Sequence, residues 1–325
     1  MTDNLYKKIL LSDRLALSKA ITLIESKKLK DKNKSEKLLK KLYKKSGKSL
    51  RIGVSGPPGV GKSTFIETLG IFLTNKKYKV AVLAVDPSSK KSGGSILGDK
   101  TRMQELSVKK NAYIRPSPSG GELGGVARRT RETMILVEAA GYEIILVETV
   151  GVGQSETEVA EMVDIFLVLL QPSSGDELQG IKKGIIEIAD LLIVNKEDEF
   201  KNEVLTTLAD YKNALSLLKK DNNTFNTEVI KCSALKKTGI SEIWKIIQRF
   251  KNIGEKKGWI KDRRLKQLSK WMWDDLQKNL FDKIKDNKKL ILEFSKLQKK
   301  VAKNIISPTE ASKKILHHYV KTNKS

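Results

Sequence analysis

The stretch Gly56-Pro57-Pro58-Gly59-Val60-Gly61-Lys62-Ser63 decides the fold of this chain. It matches the pattern G-x-x-x-x-G-K-[ST] of a phosphate-binding loop. The apolar run at residues 50–54 predicts a buried strand before it, and residues 64–75 predict a helix after it. In that order, backbone N–H groups can turn inward toward phosphate oxygens, next to the positive end of the helix dipole. The stretch therefore predicts a nucleoside triphosphate site.

The side chains of this loop suggest separate contacts with the nucleotide. Lys62 is suited to reach the β- and γ-phosphates, and the hydroxyl of Ser63 is suited to bind Mg²⁺. The backbone of the loop would surround the phosphates. The predicted nucleotide-binding residues here are Gly56, Pro57, Pro58, Gly59, Val60, Gly61, Lys62, Ser63 and Thr64.

The net charge of the chain is strongly basic, with 63 lysines and arginines against 38 aspartates and glutamates. Such a charge permits nucleic acid, an anionic membrane or an acidic protein as partner. The excess is mostly lysine without interleaved arginine and aromatic residues, so we expect solvated helix faces and no nucleic acid partner.

The cellular location is predicted from what the sequence contains. The longest apolar runs have the length of strands, shorter than the roughly 18 residues of a membrane span, so we expect no membrane association. Residues 1–8 are polar and charged, which is not typical of a signal peptide. Cys232 is the single cysteine, which suits a reducing compartment. We therefore expect a cytoplasmic protein.

Short apolar runs alternate with helical segments from residue 50 to about 252, which predicts an α/β fold with a mostly parallel sheet. The predicted strands are 50–54, 80–85, 112–115, 144–148, 165–170, 191–195 and 228–232. Ligands of such sheets bind at the carboxyl ends of the strands. The phosphate loop, Asp86, Glu148 and Asn195 all follow or end a predicted strand, so we expect them at one edge.

The chain divides into three predicted parts. Residues 1–49 predict a helical extension with an apolar stripe that includes Leu11, Leu15 and Ile21. Residues 50–252 form the predicted nucleotide-binding domain, and residues 253–325 predict a second helical extension. Within that extension, Ser307-Pro308-Thr309-Glu310 is typical of a helix start.

Carboxylates at the predicted strand ends are candidates for binding Mg²⁺. Asp86 follows the second strand, Asp99 lies in the Gly-rich segment 92–102, and Glu148 ends the fourth strand. With Ser63 they form the predicted metal site. Arg102 is a candidate charge partner for phosphate. Turn, capping or surface roles remain open for Asp86, Asp99 and Arg102.

Asn195-Lys196-Glu197-Asp198 follows a strongly apolar strand and predicts recognition of guanine. The Asp198 carboxylate can accept from the ring N1–H and the exocyclic amine of guanine, a pattern that adenine lacks. Asn195 can bond the opposite edge of the base, and the Lys196 stem can lie against its face. Ser233, Ala234 and Leu235 follow the next strand and are predicted to complete the base-binding loop.

One more segment and one histidine pair are candidate functional sites. Residues 171–183 follow the fifth strand and carry mixed charge, so they are either a mobile loop at the nucleotide edge or an ordinary strand-to-helix connection. His317 and His318 are adjacent but lack a matching cysteine or histidine cluster, so we expect no metal site there.

With these motifs in place, the chain resembles the methylmalonyl-CoA mutase-associated GTPases, the MeaB/ArgK/MMAA group within the SIMIBI class of P-loop proteins. Departures are small: residues 119–122 and Glu197 differ from the commoner family residues. The similar stretches are 13–14, 20–26, 56–63, 85–89, 93–103, 115–119, 123–128, 147–156, 171–184, 189–196 with Asp198, and 271–273.

The resemblance implies a GTP-hydrolysing chaperone of a cobalamin-dependent acyl-CoA mutase, with GTP and GDP as substrate and product and Mg²⁺ as cofactor. It also implies a homodimer and the delivery of adenosylcobalamin to the mutase. Gln179 and Lys182 would belong to a switch that couples hydrolysis to the mutase. The resulting set of expected catalytic residues is Lys62, Arg102, Glu148, Gln179 and Lys182.

Two other classes of protein are alternatives to this interpretation. A metal-insertion GTPase predicts cysteine or histidine ligands near the nucleotide site, a pattern that the sequence does not contain. A nucleic-acid-associated NTPase is suggested by the net charge of +25 and predicts steeply salt-dependent binding.

Overall fold

The computed structural model describes residues 2–26, 28–85, 103–115, 123–149, 155–172, 183–217 and 225–322. It divides into two compact units, Met1–Arg264 and Leu265–Ser325. Five of the predicted site residues lie outside the described residues: Asp86, Asp99, Arg102, Gln179 and Lys182.

The first unit is built on a sheet in which all the described strand pairs are parallel. Its order is β3-β2-β4-β1-β5-β6-β7. The predicted α/β fold is therefore confirmed, and every strand lies within one residue of its predicted bounds. The strands are β1 (Leu50–Ser55), β2 (Val80–Val85), β3 (Ala112–Arg115), β4 (Ile144–Thr149), β5 (Ile165–Leu170), β6 (Leu191–Val194) and β7 (Glu228–Lys231).

Helices precede, connect and follow these strands. The bounds are α1 (Thr2–Leu10), α2 (Arg14–Glu25), α3 (Leu29–Tyr43), α4 (Lys62–Asn75), α5 (Gln104–Ser107), α6 (Leu123–Ala139), α7 (Ser155–Ala160), α8 (Lys183–Ile188), α9 (Lys201–Leu217) and α10 (Ile240–Lys257). The helix α4 carries apolar side chains such as Phe65, Leu69 and Leu73 into the core beneath β1. This packing fixes the helix that begins in the phosphate loop.

The N-terminal helices belong to the same compact unit as the sheet. Both α2 and α3 pack on α6 and bury Leu17, Ile21, Leu38 and Leu42 completely or nearly so. The predicted apolar stripe is only partly right, because the chain turns between α1 and α2, where Ser12 has a φ of 61°. Leu11 in that turn is left 81% exposed and Leu15 is left 65% exposed.

The amino ends of β5 and β6 hold two ion pairs whose carboxylates are buried. Arg264 donates to both carboxylate oxygens of Asp164 at 2.6 Å, and Arg263 donates to both oxygens of Asp190 at 2.7 and 2.8 Å. Asp164 also accepts the backbone N–H of Arg51 at 2.9 Å. These contacts tie residues 263 and 264 to the edge of the sheet opposite the phosphate loop.

The second unit is helical. The helix α11 (Trp259–Asp286) leads into it, and α12 (Lys288–Ala302) and α13 (Pro308–Thr322) pack against each other. The predicted helix start at Pro308 is confirmed, and Ser307 caps it by accepting the N–H of Glu310 at 3.1 Å. None of the helices in the described ranges has the length and apolar character needed to cross a membrane.

Candidate nucleotide-binding site

The phosphate loop connects the end of β1 to the start of α4. Gly56 and Gly61 adopt positive φ values of 146° and 92°, which L side chains rarely tolerate. A Cβ at Gly56 would lie 2.5 Å from the Leu169 carbonyl oxygen, and one at Gly61 would lie 2.7 Å from Asn195 Nδ2. Both conformation and space therefore require glycine at these two positions.

Lys62 is buried at the base of this loop, with 9% of its surface exposed. Its Nζ donates to the carbonyl oxygens of Gly56 and Pro57 at 2.8 and 3.0 Å. Burial lowers the pKa of the ammonium group, while the nearby carboxylates of Glu148 and Glu156 act in the opposite direction. The loop thus holds a cation at the position where the sequence predicts phosphate contacts.

Ser63 and Glu148 come together as the sequence predicts, since β1 and β4 are neighbours and Val54 lies opposite Glu148. The Ser63 hydroxyl donates to Glu148 Oε1 at 2.9 Å. A hydroxyl and a carboxylate are hard oxygen donors of the kind that Mg²⁺ prefers. These two members of the predicted metal site fit that ion.

Three residues near Glu148 were not predicted as site residues from the sequence. Thr149 Oγ1 donates to Ser55 Oγ at 2.9 Å, and Ser55 Oγ lies 3.5 Å from the carboxylate of Glu156. All three side chains are buried. Ser55 and Thr149 end apolar strands and Glu156 lies in the first turn of α7, and these positions were the only signal for them. They line the root of the loop, beneath the predicted phosphate contacts.

On the other side of the loop lies Asn195, which is 2% exposed. Its Nδ2 donates to the Val60 carbonyl oxygen at 2.8 Å, and its Oδ1 accepts from the N–H of Ala234 at 2.9 Å. Cys232 Sγ lies 3.4 Å from the same Oδ1. Asn195 therefore links the phosphate loop to the predicted base loop, a contact that the sequence did not reveal.

The residues after Asn195 form a turn. Lys196 has a φ of 64°, and the N–H of Glu197 donates to the Cys232 carbonyl oxygen at 3.1 Å. Lys196 and Asp198 are both half-buried. The turn places these predicted base-contacting residues beside the end of β7.

The predicted base loop, residues 233–235, is fixed at two of its three positions. Ser233 pairs with Thr238 in an isolated bridge and accepts the N–H of Lys236 at 2.9 Å. Ala234 is buried, whereas Leu235 is 63% exposed. Cys232 is fully buried, and burial raises the pKa of its thiol to about 12.

A protein-family model matches the part of the chain that forms this site. The model described as "Methylmalonyl Co-A mutase-associated GTPase MeaB" matches residues 17–289, most of the chain. The chain belongs to this family. The predicted family is thereby confirmed, and this protein is a GTPase that binds GTP and GDP.

Relatives of the MeaB-family chain carry related names. A putative GTPase of Caulobacter vibrioides is 50% identical over 87% of each chain. The GTPase ArgK of Escherichia coli is 44% identical over 91% of this chain and 90% of its own. The mouse protein named methylmalonic aciduria type A homolog, mitochondrial, is 44% identical over 97% of this chain and 78% of its own.

A solved structure is similar over nearly the whole MeaB-family chain. The protein titled LAO/AO transport system kinase shares 35% identity and a TM-score of 0.78, with 98% of this chain and 97% of that chain covered. The fold and the family therefore agree.

Proposed function

We propose that this GTPase is a chaperone of a cobalamin-dependent acyl-CoA mutase of the methylmalonyl-CoA mutase type. In this proposal its GTP hydrolysis gates the delivery of adenosylcobalamin to the mutase and protects that enzyme. The observation that carries the proposal is the match at residues 17–289, which includes every site residue discussed above. The printed family description associates such GTPases with that mutase.

The phosphate side of the proposed site uses the residues at the root of α4. Lys62 would leave the Gly56 and Pro57 carbonyl oxygens and contact the phosphates, where its charge is better balanced. Ser63 and Glu148 would hold Mg²⁺, with Asp86 and Asp99 as further carboxylates. The ion supplies charge neutralisation on the phosphates.

The base side of the proposed site reads guanine. Asn195 Oδ1 is held by Ala234, and one Nδ2–H is held by Val60, so the amide plane is fixed. The second Nδ2–H is directed by the same plane and would donate to the base. Asp198 would accept from guanine, Lys196 would lie along its face, and Ser233, Ala234 and Leu235 would enclose it.

In this proposal, three residues identified from the sequence couple GTP hydrolysis to binding of the mutase. Lys182 would bring a positive charge to the transferring phosphate, and Gln179 would orient water or the loop. Arg102 would add a further phosphate contact. These assignments are supported by the family membership of the chain.

The proposed homodimer uses the helical arm at residues 253–325. Support comes from its exposed apolar side chains, among them Met272, Trp273, Leu276 and Phe281 on α11. Large exposed apolar side chains on one helix are typical of interaction surfaces. We further propose a cytoplasmic location, which the single buried cysteine supports.

Association with a purified adenosylcobalamin-dependent mutase tests this proposal. The two proteins are mixed with GDP or with a non-hydrolysable GTP analogue, and complex formation is measured by gel filtration with light scattering. We expect a complex whose affinity, and whose effect on cofactor loading of the mutase, depends on the nucleotide. The control is Lys62→Ala, which should remove the nucleotide dependence. Failure to associate in any nucleotide state would exclude the chaperone role.

A further inference from the structure

A contact between α4 and the base loop involves Thr68, a residue outside the predicted site. The Thr68 hydroxyl donates to the Ala234 carbonyl oxygen at 2.9 Å, across 166 positions of the chain. Both residues are buried, at 6% and 2% exposure. The helix that begins at Lys62 thus also holds the loop predicted to bind the base.

This bond continues into a chain of hydrogen bonds. The N–H of Ala234 donates to Asn195 Oδ1 at 2.9 Å, and Asn195 Nδ2 donates to the Val60 carbonyl oxygen at 2.8 Å. Val60 lies in the phosphate loop, and Thr68 lies on the helix that follows it. This series of hydrogen bonds therefore starts and ends on the same loop–helix segment and passes through Ala234 and Asn195.

The position of Ala234 depends on both of its bonds. Its carbonyl oxygen is buried, and a buried carbonyl that loses its donor is left unsatisfied at a large cost. The loop would then rotate to find another donor, which would move the N–H of the same residue. Because that N–H holds Asn195 Oδ1, the amide that faces the base would lose its fixed orientation.

We propose that Thr68 is a positioning residue for guanine recognition. It acts through Ala234 and Asn195, without touching the nucleotide. The inference rests on the proposed function, in which Asn195 and Asp198 read guanine. A second threonine on the same helix offers a contrast. Thr74 is equally buried, but its hydroxyl donates to the Ile71 carbonyl oxygen of its own helix at 3.0 Å.

The test compares Thr68→Val, which keeps the shape and removes the donor, with Thr74→Val as matched control. Dissociation constants for GDP and ADP are measured by competition, because ADP shares the phosphate contacts but lacks the N1–H and exocyclic amine pattern of guanine. For Thr68→Val we expect GDP binding to weaken about tenfold, equivalent to about 1.4 kcal/mol, and ADP binding to stay within about twofold. Thr74→Val should alter neither, and Thr68→Ser should restore the preference for GDP.

Two results would overturn the inference: equal weakening of GDP and ADP, which indicates a purely structural role, or no change in either. A parent protein that binds GDP and ADP equally would instead overturn guanine recognition itself. Circular dichroism checks the fold of each variant. If Thr68→Val does not fold, Thr68→Cys, which keeps a weak donor, should lose several-fold in GDP affinity with ADP unchanged. An equal loss for both nucleotides in that variant also overturns the inference.

Discussion

The Ser63 hydroxyl donates a hydrogen bond of 2.9 Å to Glu148 Oε1. This contact joins the first turn of α4 to the end of β4. It brings together two oxygen donors at the point where a magnesium ion would meet the phosphates of GTP.

Replacing Ser63 with alanine should therefore affect turnover more than binding. We expect the turnover number for Mg²⁺-dependent GTP hydrolysis to fall on the order of 100-fold, or about 3 kcal/mol in activation free energy. GDP affinity should change by less than about threefold, since the ion matters most where charge develops on the γ-phosphate.

Steady-state phosphate release at several Mg²⁺ concentrations and a GDP titration measure the two effects. Ser46→Ala is the control, because Ser46 is outside the site and bonds only to Tyr43 nearby. Unchanged turnover in Ser63→Ala would show that the metal is held elsewhere.

Gly61→Ala tests the packing of the phosphate loop against Asn195. Its Cβ would lie 2.7 Å from Asn195 Nδ2, so we expect GDP affinity to fall by about tenfold or more, a cost of at least about 1.4 kcal/mol. Gly47→Ala is a matched control because Gly47 has nearly the same φ, 91°, but open space around its Cβ. Equal loss of GDP binding in both variants would point to a general destabilisation of the fold and not to the contact with Asn195.

Asp198→Asn tests whether the Asp198 carboxylate recognises guanine. The amide donates where the carboxylate accepted, so we expect GDP affinity to fall and XDP affinity to rise. Affinities for GDP, ADP and XDP in parent and variant provide the measurement. The idea fails if the parent binds GDP and ADP with equal affinity.

Arg264→Ala tests the anchor at the opposite edge of the sheet. It leaves the fully buried Asp164 without its paired charge, and we expect the free energy of unfolding to fall by about 3 kcal/mol. Arg249→Ala removes one partner of the exposed pair with Glu228 and should cost less than about 1 kcal/mol. Urea denaturation gives both values, and equal losses would argue against a special role for the buried pair.

Much of the fold could be predicted because the decisive signals are local. Each strand is a continuous apolar run, and the phosphate loop and the Pro308 helix start are short motifs whose meaning depends on their neighbours in sequence. The contact of Ser63 with Glu148 could also be predicted from the sequence, because the carboxyl ends of parallel strands lie at one edge of the sheet.

The rest depends on contacts between distant parts of the chain. Nothing near Thr68 in sequence indicates that it meets Ala234, and the spacing of Leu11 and Leu15 suits a helix face until the chain turns between α1 and α2. Asn195 was predicted as a base reader from its motif. Its bonds to Val60 and Ala234 arise only when three separate segments pack together.

We propose that GTP hydrolysis by this protein responds to a cobalamin-dependent mutase. Steady-state GTP turnover with and without the purified mutase tests it most directly. We predict slow hydrolysis alone, a marked rise with the mutase, and loss of most of that rise in Lys182→Ala with basal turnover and GDP affinity nearly unchanged. Turnover that stays the same at saturating mutase would contradict the account, and full stimulation of Lys182→Ala would show that the segment around Lys182 is only a connector.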